Sequence, residues 1–212
     1  MSQIGIYGLG GFAREVFNYN KIKLNNICFV TDLKDENFQK WKNNKNICFW
    51  EDFKKDEKNK IILAISDPKI RKLLYQNIKN NSKISFLESI SDKSLIFEDV
   101  KIGECAIICP FTTFTTNIKI GIGFQANIYS YIGHDCMIGD FVTFAPAVKC
   151  NGNVTVEDNV YIGTGAIIKQ GKLNNPLVIG KNSKISAGAY VNKNVPPDHI
   201  AYGNPCKFIK IK

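Results

Sequence analysis

At 212 residues with 44% apolar content, the chain can bury the core of one large or two small domains. No run approaches the ~18 apolar residues of a membrane span, and no basic-apolar-small signal pattern opens the chain, so a cytoplasmic protein without membrane insertion is expected. The net charge of +9 is spread over scattered lysines with no basic stripe interleaved with aromatics, which argues against a nucleic-acid binder and for anionic small molecules.

The N-terminal third reads as a small βαβ domain over residues 1–83. Ile4-Gly5-Ile6-Tyr7 is a short apolar strand running into Gly8-Leu9-Gly10-Gly11-Phe12-Ala13, and a helix follows from Arg14. A second strand, Ile27-Cys28-Phe29-Val30, ends at Thr31-Asp32, and a third spans Ile61 to Ser66. Asp67 caps a helix that starts at Pro68 and runs through Tyr75. Gly8-x-Gly10-x-x-Ala13 with Asp32 matches a dinucleotide fingerprint, whose glycines let a phosphate approach a helix N-terminus. A second half of such a fold cannot form before the pattern changes. The glycine turn therefore suits a mononucleotide or nucleotide-sugar pocket better than NAD, or else serves only to pack strand on helix.

From Ile84 the chain changes period. Every sixth residue to Ile168 is apolar: Ile84, Ile90, Ile96, Ile102, Ile108, Phe114, Ile120, Ala126, Ile132, Ile138, Phe144, Cys150, Val156, Ile162 and Ile168. From Val100 the fourth residue after each is small or β-branched, Phe124 excepted. Neither a helix nor an ordinary strand repeats every six residues, whereas a three-faced parallel β-helix does. Residues 84–212 are therefore expected as stacked coils and a C-terminal tail, each coil burying its neighbour's apolar edge. The phase breaks over residues 169–176 and resumes at Ile179, Ile185 and Val191, with Ser183, Ala189 and Val195 in the second slot. The break is a loop, either a tolerated insertion or a wall of a cleft between subunits.

Seven cysteines show no CxxC pair, and Cys136 and Cys150 fall on inward slots as small hydrophobes, so a reducing compartment is expected. There are two histidines. His199 reads as a turn residue after the last coil. His134, two residues after inward Ile132, lies at a corner where it suits a general base, and neighbouring Asp135 suits its tautomer-fixing partner if the corner turns both side chains together. Two histidines cannot assemble a three-histidine metal site, so no metal is expected, and no G-x-S-x-G elbow occurs. Direct acyl transfer to an amine or hydroxyl remains. A non-enzymatic β-helix scaffold is the other reading.

The chain resembles bacterial hexapeptide-repeat acetyltransferases that modify sugars for surface glycans. The resemblance rests on Ile6-Tyr7-Gly8 with Gly11, Phe29 to Asp32, Ala64-Ile65 to Arg71, His134-Asp135-Cys136, Lys149 to Asn153, and Gly203-Asn204-Pro205-Cys206-Lys207. It is similar above all to N-acetyltransferases of nucleotide-linked 4-amino-4,6-dideoxysugars, with sialic acid O-acetyltransferases as a near branch and sugar O-acetylation as the alternative activity. The resemblance implies a left-handed coil, a homotrimer, and acetyl-coenzyme A bound between adjacent β-helices. It implies His134 as base with Asp135 as its partner, and Asn127 near the acceptor sugar. Gly10, Gly11, Asp32, Ile65 and Ser66 correspond to the nucleotide pocket. Thr143, Gly152, Thr164 and Ala187 line the coenzyme groove, with the Gly152 amide as oxyanion donor and the tail at Lys207 near the adenine. Phe12 replaces a common histidine and Ser66 a common glycine, which leaves open whether the base is that of dTDP or UDP. Thr143 stands where a relative has a second histidine, so that helper role is lost.

Overall fold

The computed structural model describes residues 2–20, 24–43 and 46–211. It divides into two compact units, one of Met1–Ser66 with Ile70–Ser89, the other of Asp67–Lys69 with Ile90–Lys212. Among the described residues no helix is long and apolar enough to cross a membrane.

The first unit is built on a parallel five-stranded sheet. In chain order its elements are β1 (Ile4–Tyr7), α1 (Gly11–Asn20), β2 (Ile27–Thr31), α2 (Glu36–Trp41), β3 (Ile47–Phe49), α3 (Trp50–Phe53), β4 (Lys60–Leu63), α4 (Pro68–Asn81) and β5 (Ser85–Phe86). The strand order is β3-β2-β1-β4-β5, all parallel, with Tyr7 paired to both Val30 and Leu63. Parallel sheets covered on both faces need continuous apolar strands. Here Ile6, Cys28, Phe29, Val30, Ile61, Ile62 and Leu63 are all essentially inaccessible. Asp67 does cap α4, accepting from Lys69 N at 2.9 Å. Four elements had no clear sequence signal. Helix α2 is fixed by its cap, with Asp35 Oδ1 accepting from Phe38 N at 2.9 Å, rather than by an apolar face, and it buries no residue. Elements β3, α3 and β5 have two to four residues each, too few to show a period.

The second unit is a left-handed parallel β-helix. Its three sheets step by 18 residues per coil: Phe114↔Ile132↔Cys150 on the first face, Ile120↔Ile138↔Val156 on the second, Ala126↔Phe144↔Ile162 on the third. Both beats of the hexapeptide point inward and merge into one core from Ile108 to Ala201. The bulky exception at Phe124 is fully buried and packs against Phe114 and edge-on against Phe144 with ring centroids 6.1 and 5.3 Å away. Ile84 is not a coil residue. The strand that follows it, β5, pairs with β4, and the coil begins at the strand Ser89–Ile90. Ile90, in the first coil, is 43% exposed, because the core opens at the end of the stack.

Each corner turns on a single residue in the left-handed region. Asp99, Cys105, Phe111, Asn117, Tyr129, Asp135, Phe141, Ala147, Asn153 and Asn159 have φ between 52° and 64°, and Gly123 and Gly165 fill the same slot. Such backbone costs an L-residue roughly 1–2 kcal/mol, least for Asn and Asp, and persists here because the coils above and below fix it. The interruption after Ile168 widens the step between coils, from Tyr161 to Lys184, to 23 residues. It leaves the coil as a tight hairpin in which Lys172 and Asn175 exchange backbone hydrogen bonds at 3.1 and 3.0 Å. The chain leaves the coil at Gly171, where any Cβ would collide with Asn153 O.

Truncating Phe124 to Ala removes a fully buried ring that packs between Phe114 and Phe144. The expected loss is about 3–5 kcal/mol of unfolding free energy, read from chemical denaturation followed by circular dichroism.

Candidate active site

His134 and Asp135 occupy the corner that follows the first face. On a strand, successive side chains diverge. At this corner Asp135 has φ 59°, which swings its carboxylate back beside the preceding ring. His134 Nδ1 lies 2.7 Å from Asp135 Oδ2, with the imidazole half-exposed. The other carboxylate oxygen, Oδ1, accepts from Asn117 Nδ2 at 2.6 Å. Asn117 fills the same corner slot one coil earlier. The hydrogen bonds from His134 first, then Asn117, hold the Asp135 carboxyl below its ordinary range. A depressed carboxylate stays ionised as pH falls through the usual Asp range, so the pairing persists there and is lost only at still lower pH. With Asp135 ionised the imidazole proton sits on Nδ1, and Nε2 carries an open lone pair.

The next coil makes room for that nitrogen. A Cβ on Gly152 would lie 2.6 Å from both Cε1 and Nε2 of His134. Glycine is needed here for space, since its φ is not left-handed. Asn153 N donates to His134 O at 2.9 Å, and the Cys136 thiol donates to Asn151 O at 3.3 Å, which fixes the two corners against each other. Beside the pair runs a groove of about 290 Å³. It is lined by Asn117, Asp135 and Asn153 of the corner, by Met137 and Thr155, and by Leu173 and Pro176 from the interruption. Further along the same corner a pocket of about 440 Å³ gathers Lys169, Lys172 and Lys193 with Asn175, Asn192 and Asn194.

The remaining coil residues singled out by sequence fall elsewhere. Asn127 is at the corner after the third face, as are exposed Thr164 and Ala187. Thr143 is buried in a third-face strand, 2% exposed, so within one chain it offers no surface to a ligand. Within one chain, therefore, Gly152 meets His134 while Asn127, Thr164 and Ala187 form a separate column. Lys207 is exposed on the strand Lys207–Lys210, antiparallel to His199–Tyr202. His199 lies on the latter strand, its Nδ1 2.7 Å from Pro197 O.

In the first unit the residues assigned to a nucleotide pocket do converge. Strand β1 lies between β2 and β4, so the connections leave it in opposite directions, the crevice where open α/β sheets bind ligands. Gly10 and Gly11 follow β1, Asp32 follows β2, and Ile65 and Ser66 follow β4. A Cβ on Gly10 or Gly11 would meet nothing within 4 Å. Burial first, then Asp32, pushes the Tyr7 hydroxyl above its usual pKa, so it stays protonated at the root of this crevice. Two arginines brace the loops. Fully buried Arg71 donates from Nη1 to Ile65 O at 2.6 Å and Ser66 O at 3.2 Å, and Arg14 Nη1 donates to Leu9 O at 2.8 Å. Neither arginine stood out in sequence as a site residue, and nor did Asn117. The 18-residue coil step from Asp135 points to Asn117 directly. Among the described residues no group of three or more His, Cys, Asp or Glu could hold a metal ion.

The profile of the PglD N-terminal domain matches residues 3–78. The whole chain is similar to GDP-perosamine N-acetyltransferase from Escherichia coli O157:H7, 40% identical over 225 residues that span 99% of this chain and 97% of the relative. Among solved structures it is similar to WeeI from Acinetobacter baumannii AYE, with 38% identity, a TM-score of 0.89 and coverage of 99% and 100% of the two chains. PerB from Caulobacter crescentus, solved in complex with CoA and GDP-perosamine, shares the fold at 20% identity, with a TM-score of 0.80 over 99% of this chain and 98% of that one.

If Gly152 makes the space for the imidazole, Gly152→Ala displaces the ring while the coil survives. In a crystal structure of that variant the His134 Nδ1 to Asp135 Oδ2 distance is expected to exceed about 3.5 Å, the limit of a hydrogen bond.

Proposed function

The chain belongs to the hexapeptide-repeat sugar N-acetyltransferases, and we propose that it acetylates the 4-amino group of a nucleotide-linked 4-amino-4,6-dideoxysugar, with GDP-perosamine as acceptor and acetyl-coenzyme A as donor. The guanosine nucleotide rests on the full-length relative that acts on GDP-perosamine, and it takes the place of the uridine or thymidine diphosphate expected from sequence. The observation that carries the chemistry is the His134–Asp135 pair, with Nδ1 committed to the carboxylate and the half-exposed ring seated over Gly152, where any Cβ would collide with it.

In this reading the amine nitrogen attacks the thioester carbonyl and His134 Nε2 accepts its proton. Asp135 stabilises the imidazolium that forms. The Gly152 amide donates to the oxyanion as the carbonyl becomes tetrahedral. Collapse breaks the carbon–sulfur bond, and the imidazolium returns its proton to the departing thiolate, so the base is regenerated. Alignment of the two substrates supplies much of the acceleration, and the base contributes about 10²–10⁴-fold.

Each unit has a recognisable task. Gly10 and Gly11 at the start of α1 receive the diphosphate, while Asp32 accepts hydrogen bonds from ribose hydroxyls. Lys169, Lys172 and Lys193 sit two to three coils beyond His134 on the same corner, roughly 10–14 Å along the helix axis at the usual strand spacing. Their charge suits the phosphates of coenzyme A, with the pantetheine arm running back along the corner to His134. Asn127, Thr164 and Ala187 lie on a different corner of the same chain, so a site that uses both columns takes them from neighbouring chains. A homotrimer provides that arrangement.

The acceptor is tested by thiol release from acetyl-coenzyme A with GDP-, dTDP- and UDP-linked 4-amino-4,6-dideoxysugars and with sialic acid. The GDP sugar is expected to react fastest, and release with sialic acid alone would overturn the reading. His134→Ala is expected to lower kcat by about 10²–10⁴-fold with the fold intact, and near-normal turnover would remove His134 as base. In the same assay Lys172→Ala/Lys193→Ala is expected to raise KM for acetyl-coenzyme A roughly tenfold while kcat holds.

A further inference from the structure

We propose that Asn117 is a positioning residue for the reaction, which holds the Asp135 carboxylate so that its second oxygen faces His134. The inference rests on the reading of His134 as base. The side-chain amide of Asn117 donates to Asp135 Oδ1 at 2.6 Å, and Asp135 Oδ2 meets His134 Nδ1 at 2.7 Å. One oxygen is thus taken by each neighbour, and the carboxylate cannot rotate without losing a charge-assisted hydrogen bond. The chain of contacts crosses one coil boundary, from the slot at residue 117 to that at residue 135, and both backbones are left-handed, with φ 52° and 59°. Asp135 also donates its backbone N–H to Thr116 O at 3.2 Å, so the two corners are joined at main chain and side chain alike.

An amide is the group this position calls for. A carboxylate at 117 would oppose Asp135, while an aliphatic residue would leave Oδ1 to solvent and free the carboxylate to turn. The other charged or titratable side chains around this corner are Asp99 in the same slot one coil earlier, Lys119 on the wall of the adjoining groove, the Cys136 thiol, and Tyr131, whose hydroxyl donates to Asn151 Oδ1 at 2.7 Å. None of these is bonded to Asp135. The two bonds that hold its carboxyl low come from His134 and Asn117.

Two variants keep the backbone unstrained. Asn117→Asp retains a side chain tolerated in the left-handed region, and Asn117→Gly removes the amide at a φ that glycine adopts freely. The chain has only two histidines, so selective nitrogen labelling of imidazole gives two sets of ring signals, told apart by His199→Gln, whose shifts report which nitrogen carries the proton. In Asn117→Gly the His134 proton is expected to spread over both ring nitrogens while the His199 signals hold still. In Asn117→Asp, where two carboxylates face each other, kcat is expected to fall at unchanged KM. In Asn117→Gly kcat is expected to fall roughly tenfold at unchanged KM for both substrates, the size of one lost charge-assisted hydrogen bond. Unchanged kcat, or a His134 ring proton still confined to Nδ1, in Asn117→Gly overturns the proposal. That result is distinct from failure of the base assignment, which shows instead as near-normal turnover in His134→Ala.

Discussion

The constraint on which the second unit depends is the single left-handed residue at each corner. A flat run of two or three strand residues must turn through a tight angle and continue into the next face, and one residue with positive φ does this every sixth position. The conformation is unfavourable for most side chains, including Phe111, Tyr129 and Phe141, which adopt it here. Stacking meets that cost. Each corner is held by backbone hydrogen bonds from the coils beside it, and each inward slot closes against the one 18 residues away. The same slot that shapes the coil also makes the chemistry available. Asp135 can face His134 only because its backbone is left-handed, so the His134–Asp135 pair is a by-product of the repeat and needs no dedicated loop.

A corner has a second advantage for acid–base work. It is rigid, yet its side chains reach solvent. The imidazole is held on one edge by Asp135, on its backbone by Asn153, and against one face by the bare Cα of Gly152. These contacts fix the tautomer without burying the ring, and a half-exposed histidine can exchange protons with a bound amine and a departing thiolate. The first unit uses a different device. Its strand ends converge at the reversal of strand order, and two arginines clamp the connecting loops by their carbonyl oxygens. One unit thus gathers its candidate site residues by corner geometry and the other by sheet topology.

The fold was legible where the physics repeats. Twelve or more consecutive hexapeptides write the same two inward slots, and Cys136, Cys150 and even Phe124 fall where the beat puts them. It was less legible where a feature occurs once. Ile84 keeps the beat but belongs with β5, because a single aliphatic residue serves a parallel sheet as well as a coil. Helix α2 rests on the Asp35 cap and strand β3 on three residues, which no periodicity can register. The His134–Asp135 contact could be posed from sequence but depended on the sign of one φ angle. Asn117 was hidden for another reason: its partner lies a full coil away, and the pairing shows only when the 18-residue step is applied to polar residues as well as apolar ones. Asn127, Thr164 and Ala187 come from resemblance alone, and the chain places them on a different corner from His134.

The proposed chemistry depends on where the acceptor nitrogen sits. A crystal structure with coenzyme A and GDP-perosamine bound would measure this directly. The C4 amine is expected within about 2.6–3.2 Å of His134 Nε2, with the coenzyme sulfur on the side of the nitrogen away from the sugar. An amine bound beyond reach of His134, or facing another proton acceptor, would contradict it.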